Sequence, residues 1–277
     1  MNLMPETMSD VYQQQAARAF DQQAALFDEL YANNALIQYK RDRVRKHAGA
    51  LMAPGSMILE LNAGTGEDAL YFARQGHRVH ATDISSGMLA VLNRKVQAMG
   101  YAGQVTQESC AFNRLDQLNQ KGPYDMIFSN FAGLNCCADL RETLDSCQRL
   151  LKSGGLLTMV IMPAFCLWET LLFFRGRCRT ALRRWGSRGG VSAHIEGQYF
   201  RCWYHRPQDI IRHLEGSFDL LALEGLCSIV PPSYLEHFDQ KYPRLYRFLQ
   251  QQEWRYKSSW PWKLIGDYYI ISFRKRR

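Results

Sequence analysis

Ile58-Leu59-Glu60-Leu61-Asn62-Ala63-Gly64-Thr65-Gly66-Glu67-Asp68 is the stretch on which the fold turns. Residues 57–61 form a short apolar run with the breaker Ala53-Pro54-Gly55-Ser56 before it and glycines after it, the pattern of a buried strand entering a tight turn. Helical spacing follows over residues 67–75. A strand that ends in glycines and opens a helix lets backbone approach a ligand closely and presents the helix N-terminal amides to it. Outward from this unit the chain alternates. Strands are expected at 77–81, 104–108, 124–129 and 156–161, with helices at 86–99 and 139–151. Such alternation predicts an α/β fold, a doubly wound, mostly parallel sheet covered on both faces. Its binding crevice should lie beyond the carboxyl ends of the strands.

Asp83 ends the second expected strand, seventeen residues past Gly66, where a carboxylate can accept hydrogen bonds from both hydroxyls of a ribose. Glycine turn and acid together fit a dinucleotide or an adenosyl cofactor. Charge separates the two. A pyrophosphate needs positive potential at the helix start, and this helix begins Glu67-Asp68, with only alanine at position 69 for the third small residue of a dinucleotide turn. S-adenosylmethionine has no phosphate and carries a sulfonium and an ammonium, which carboxylates attract.

At these residues the chain resembles the class I S-adenosylmethionine-dependent methyltransferases of small-molecule type. The matching segments are 60–69, Val79 to Ser85, Tyr124 to Asn130 and Leu150 to Gly155. The likeness covers residues 30–162, and more loosely the helix at Pro207 and the final strand pair. It implies that Glu60, Asn62, Ala63, Gly64, Thr65, Gly66 and Asp68 surround the methionine portion and that Asp83 binds the ribose. Ile84 and Met88 would flank the adenine, Ser109, Cys110, Ala111 and Phe112 would line its amino edge, and Ser129, Asn130 and Phe131 would face the transferable methyl. Two departures stand out: Asn62 replaces a small residue at the start of the turn, and Ser109 or Cys110 replaces an acid after the third strand. The helices of residues 1–52 resemble a cap folded over the cofactor, which implies contact from Tyr31 and an Arg43 that meets the carboxylate.

The organisation expected is cap helices over 1–52, a Rossmann-like core over 53–162, an Arg- and aromatic-rich substrate-covering insertion over 163–206, and completion of the sheet over 207–277 with a helical insertion at 232–256. Candidate bases after the core are His194, Glu196, His205 and His237, of which His194 and His205 are preferred for the aromatic residues around them. Trp168, Tyr199 and Trp203 are candidate walls of an acceptor pocket. Residues 170–195 contain no Asp or Glu, and Arg175, Arg179 and Arg183 fall at i, i+4 and i+8. That pattern reads as a basic amphipathic helix: a solvated surface, a lid over an anionic or lipophilic acceptor, or a peripheral membrane contact through residues 175–188.

The chain has 277 residues, 47% hydrophobic and 22% charged, with 20 Gly and 9 Pro, which excludes collagen-like and wholly disordered classes. A net charge of +8 admits anionic partners without choosing one. Eight cysteines without a C-x-x-C pair give no zinc pattern, and residues 1–20 lack a basic segment followed by an apolar one, so reduced thiols in the cytosol are expected. The stretch Ser129-Asn130-Phe131-Ala132 lacks the Pro-Pro-aromatic turn of methyltransferases that act on base amines. The resemblance therefore implies methylation of a small, aromatic or lipophilic acceptor, most often at oxygen, with RNA methylation or a silent cofactor-binding subunit as rivals.

Overall fold

The computed structural model describes residues 8–176, 178–184, 189–195 and 197–277. Three helices come first: α1 (Met8–Gln23), α2 (Phe27–Ala32) and α3 (Ala35–Leu51). The chain then alternates through β1 (Met57–Leu61), α4 (Glu67–Arg74), β2 (Arg78–Asp83), α5 (Ser86–Ala98), β3 (Val105–Ser109), β4 (Tyr124–Ser129), α6 (Arg141–Leu150) and β5 (Leu151–Ile161). An insertion holds α7 (Leu167–Leu171), α8 (Cys178–Leu182) and a hairpin, β6 (Val191–Ile195) with β7 (Gln198–Cys202). The remainder is α9 (Pro207–Leu214), β8 (Phe218–Leu226), α10 (Phe238–Lys241), α11 (Pro243–Tyr256) and β9 (Tyr268–Lys275).

Seven strands form one sheet in the order β3-β2-β1-β4-β5-β9-β8. Every pairing from β3 to β5 is parallel, and β9 lies antiparallel between β5 and β8. The doubly wound, mostly parallel sheet expected from the alternation is therefore present. Two cores flank it, because alternate residues of each strand face opposite layers. Leu59, Leu61, Ile127, Leu157, Ile271 and Phe273 pack with α6 and α9 on one side. Ile58, Met126, Phe128, Val160 and Ile270 pack with Val44 and Ala48 of α3 and the inner faces of α4 and α5 on the other.

The basic stretch departs from expectation. It is not one amphipathic helix, since α7 continues as a short 3-10 turn (Leu172–Arg175) that ends at Gly176 (φ 73°) before α8 begins. Two of its arginines are matched from within the fold. Arg183 and Arg184 both grip Glu169, and Arg184, buried, also reaches Asp267 at 2.7 Å. Arg177, residues 185–188 and Glu196 lie outside the described residues. The insertion also contains the β6–β7 hairpin, which packs on α1 through Phe200, Cys202, Ala16 and Ala19. No helix among the described residues is long and apolar enough to cross a membrane, and the cysteines are free thiols.

Candidate active site

The strand order reverses between β1 and β4, which opens a crevice at their carboxyl ends. There the chain encloses a cavity of about 390 Å³, walled by the turn after β1, the ends of β2 and β4, and helices α1, α2 and α3.

The turn is set by side chains on both sides of it. Asn62 takes a left-handed φ of 50°, which asparagine tolerates, so its departure from a small residue still builds the turn. Its Nδ2 donates to the Asn130 carbonyl at 2.6 Å and its Oδ1 accepts from Ser129 Oγ at 2.6 Å, which ties β1 to β4. Gly66 holds φ 80°, and a Cβ there would stand 2.0 Å from Leu92 Cδ1, so only glycine lets α4 start against α5. Asp83 accepts the Gly64 amide at 2.8 Å on one oxygen and the Ser85 amide at 2.9 Å on the other. Burial raises its pKa, and those amide bonds oppose the rise. Asp83 lines the cavity, and a carboxylate oxygen can accept more than one hydrogen bond.

The two acids opening α4 are both compensated. Asp68 accepts Arg45 Nε at 2.6 Å and Asn130 Nδ2 at 2.7 Å, while Glu67 accepts Lys95 at 2.6 Å. Glu60 is different. It is 2% exposed, its Oε2 has no hydrogen-bond partner, and burial followed by the charge of Asp68 holds its pKa well above the carboxylate range. An orphaned buried carboxyl beside a second carboxylate is a seat for a cation.

Of the residues expected around a cofactor, Tyr31, Glu60, Asn62, Ala63, Gly64, Thr65, Asp68, Asp83, Ile84, Met88, Cys110, Phe112, Asn130 and Phe131 line this cavity together. Others do not. Gly66 and the fully buried Ser129 shape the turn from behind, Ser109 is exposed, and Ala111 borders a smaller neighbouring hollow. Arg43 points away, into a buried cluster with Glu224 and Glu253, each at 3.3 Å. The cations of α3 that do line the cavity are Lys40 and Arg41.

None of the preferred bases or acceptor walls is there. His194 is exposed on the hairpin against Tyr199, itself 69% exposed, with ring centroids 4.7 Å apart. His205 donates to the Cys137 carbonyl at 3.1 Å, and burial lowers its pKa. His237 is exposed at the start of α10. Trp203 is buried against Tyr12 at 5.0 Å, and Trp168 packs in α7. The structure instead brings Gln13, Phe20, Phe27, Ile37, Ile195, Ser233 and Tyr268 to the walls. Phe131 and Ala132 hold left-handed φ of 47° and 62°, a costly geometry for residues with a Cβ.

Two latches hold the cap helices down. Asp21 of α1 accepts Ser85 Oγ at 2.6 Å and the Gly87 amide at 2.7 Å, at the positive end of α5. Asp28 of α2 accepts Thr65 Oγ1 at 2.6 Å and Lys95 Nζ at 2.9 Å. Asp28 is part-exposed, so Asp28→Ala should speed ligand release by about two- to fivefold, the scale of one such ion pair. Stopped-flow fluorescence of ligand release measures it; an unchanged rate would mean that α2 is held by packing alone.

This seven-stranded sheet, with one antiparallel strand next to its edge, has the fold of solved methyltransferase structures. Over all of this chain and 94% of its own, the structure of the Burkholderia thailandensis 1,6-didemethyltoxoflavin-N1-methyltransferase, with S-adenosylhomocysteine bound, superimposes with a TM-score of 0.58 at 15% identity. Residues 58–155 match the model of a methyltransferase domain family, and the turn, Asp83 and the end of β4 all fall inside the matched segment. The demethylmenaquinone methyltransferase of Clavibacter sepedonicus is 33% identical over 141 residues, 48% of this chain and 55% of that protein. The malonyl-[acyl-carrier protein] O-methyltransferase of Enterobacter lignolyticus is 28% identical over 137 residues, 48% of this chain and 51% of that protein. The chain spans about half the length of the curated relatives it matches.

Proposed function

We propose that this chain transfers a methyl group from S-adenosylmethionine to an oxygen of a small, aromatic or lipophilic acceptor. The observation that carries the reading is Glu60, a buried carboxyl with one unpartnered oxygen in the wall of a crevice between β1 and β4. The donor brings an ammonium and a sulfonium to such a seat, where a phosphate would be repelled. Asp83 would accept the ribose hydroxyls, and Ile84, Met88, Cys110 and Phe112 would enclose the adenine. Arg41, 7% exposed with its Nε unpartnered, would meet the amino-acid carboxylate.

When bound, this donor supplies an electrophilic methyl group. The chain's own part is to align a nucleophile with it and to exclude water. Phe20, Phe27 and Tyr31 cover the cavity from the cap, and Ile37, Phe131, Ile195 and Tyr268 supply apolar walls for an acceptor. A volume of about 390 Å³ suits small-molecule ligands, for which about 300–1,000 Å³ is usual. The relative named as an O-methyltransferase supports oxygen as the acceptor atom.

A second reading, a cofactor-binding subunit without turnover, is favoured by one observation: among the described residues no histidine lines the cavity. Calorimetry with S-adenosylmethionine and S-adenosylhomocysteine, followed by labelled-methyl transfer to cell extract with and without nuclease, separates the cases. Binding with label in extractable small molecules supports the first reading. Nuclease-sensitive label would mean RNA, and binding without label the silent subunit.

A further inference from the structure

Lys40 and Arg41 are adjacent on α3, both line the cavity, and both are buried, at 3% and 7% exposed. Burying two neighbouring cations is costly unless anions meet them. Arg41 forms no ion pair among the described residues, and its guanidinium lies 5.7 Å from the Phe131 ring. Lys40 Nζ donates to Ser233 Oγ at 3.0 Å and sits 4.7 Å from the Tyr268 ring. Its nearest carboxylate oxygen, on Asp267, is 4.0 Å away, and the other oxygen of Asp267 is bound by Arg184. The proposed donor brings one carboxylate, which leaves the other cation without a close anion of its own.

Topology says which. Ser233 follows β8 and Tyr268 begins β9, strands on the far side of β4 and β5 from the turn that would hold the donor. Lys40 therefore faces the acceptor half. The walls of the whole cavity offer little that could take a proton from a neutral acceptor. No histidine lines it among the described residues, and burial raises the Tyr268 hydroxyl and the Cys110 thiol, the latter to about 12. Its four carboxylates belong to the donor half: Asp68 is bound by Arg45 and Asn130, Asp83 by two amides and Glu67 by Lys95, while Glu60, on β1, is the seat that the proposed donor's own cation takes. An acceptor that is already ionised needs no base.

We infer that the acceptor is a monocarboxylic acid with an apolar body, that Lys40 and Ser233 hold one of its carboxylate oxygens, and that the other oxygen takes the methyl group to give a methyl ester. The inference rests on the methyl-transfer reading above. The step balances: a carboxylate lone pair forms the new oxygen–carbon bond, and the methyl–sulfur bond breaks with its pair left on sulfur. Anion and sulfonium both become neutral, and no proton moves.

The test begins with S-adenosylhomocysteine affinity of the wild type, Lys40→Met and Ser233→Ala. Decanoate and 4-phenylbutyrate, each against its primary amide, are then titrated into the product-bound protein. Finally, label transferred from S-adenosylmethionine to the small-molecule fraction of a cell extract is treated with mild alkali, which frees esterified methyl as volatile methanol. The expected result is product affinity within twofold in all three proteins and at least tenfold preference of the wild type for a carboxylate over its amide. That preference should be lost in Lys40→Met and reduced in Ser233→Ala, and the label should be alkali-labile. Alkali-stable label, or a Lys40→Met loss of product affinity as large as its loss of carboxylate binding, overturns the inference while methyl transfer stands. A wild type that does not bind the product sinks both.

Discussion

Replacement of Glu253 by alanine is expected to remove about 3–5 kcal/mol of stability, the scale on which one partner of a buried ion pair is lost. Glu253 lies on α11 and is fully buried. One carboxylate oxygen accepts the Tyr39 hydroxyl at 2.9 Å, Arg43 at 3.3 Å and the Cys227 amide at 3.0 Å; the other accepts the amides of Ser228, Ile229 and Val230, each at 2.9 Å. One side chain thus satisfies four backbone donors of the segment after β8 and pins it to α3. Against a usual total of about 5–15 kcal/mol, the loss should lower Tm by roughly 10 °C. Glutamine is the sharper variant. Its amide nitrogen would face donors in either orientation, so Glu253→Gln should cost at least half as much as alanine despite its matching shape. A glutamine variant within about 1 kcal/mol of wild type by urea unfolding would refute this account.

The same cluster is expected to make the fold acid-labile. Burial works to raise the pKa of Glu224, and hydrogen bonds from His47 and Lys257 overcome it, bringing the carboxyl down from 4.5 to about 2. A carboxyl depressed in the folded state contributes stability that is present above its unfolded pKa and lost as pH falls through the folded one. Stability should therefore decline between about pH 4.5 and 2, and Glu224→Gln should flatten that decline in Tm measured against pH.

The core was legible where local pattern and burial agree. β1 and β4 each follow an apolar run into a turn, and the acid at the end of β2 lines the crevice as expected. Long-range partners were not legible. The run without acids over residues 170–195 reads as free positive charge, yet Arg183 and Arg184 are matched by Glu169 just before it and Arg184 by Asp267 from beyond β8. The choice of Arg43 over Arg41 is a phase error: two residues on a helix turn a side chain by about 200°. The signal was present, because Arg41 sits between Ile37 and Val44 on the stripe that faces inward. The hairpin left a trace as well. Val191-Ser-Ala-His-Ile alternates in exposure and Gly197 turns with φ 79°, but aromatic residues nearby suggested a pocket wall. β5 begins at Leu151 rather than 156 because its polar start pairs with Tyr124 across an irregularity in register, which hydrophobicity alone does not mark.

Asp83→Ala is expected to weaken S-adenosylhomocysteine binding by about 1.5–3 kcal/mol, roughly 10- to 150-fold, as a charged acceptor of two hydroxyls is lost. The difficulty is that Asp83 also fixes the Gly64 and Ser85 amides, so a weaker complex could reflect a loosened turn. A cycle with the ligand resolves the ambiguity. The wild type should bind the ribo ligand more tightly than its 2′-deoxyribose analogue, and Asp83→Ala should bind the two alike, with a coupling of about 1 kcal/mol or more. A turn defect lowers both affinities together and leaves their ratio intact. If the ratio survives the substitution, Asp83 shapes the turn and some other group reads the ribose. Loss of the ratio means that the carboxylate touches the sugar, and the amides it holds are what aim it there.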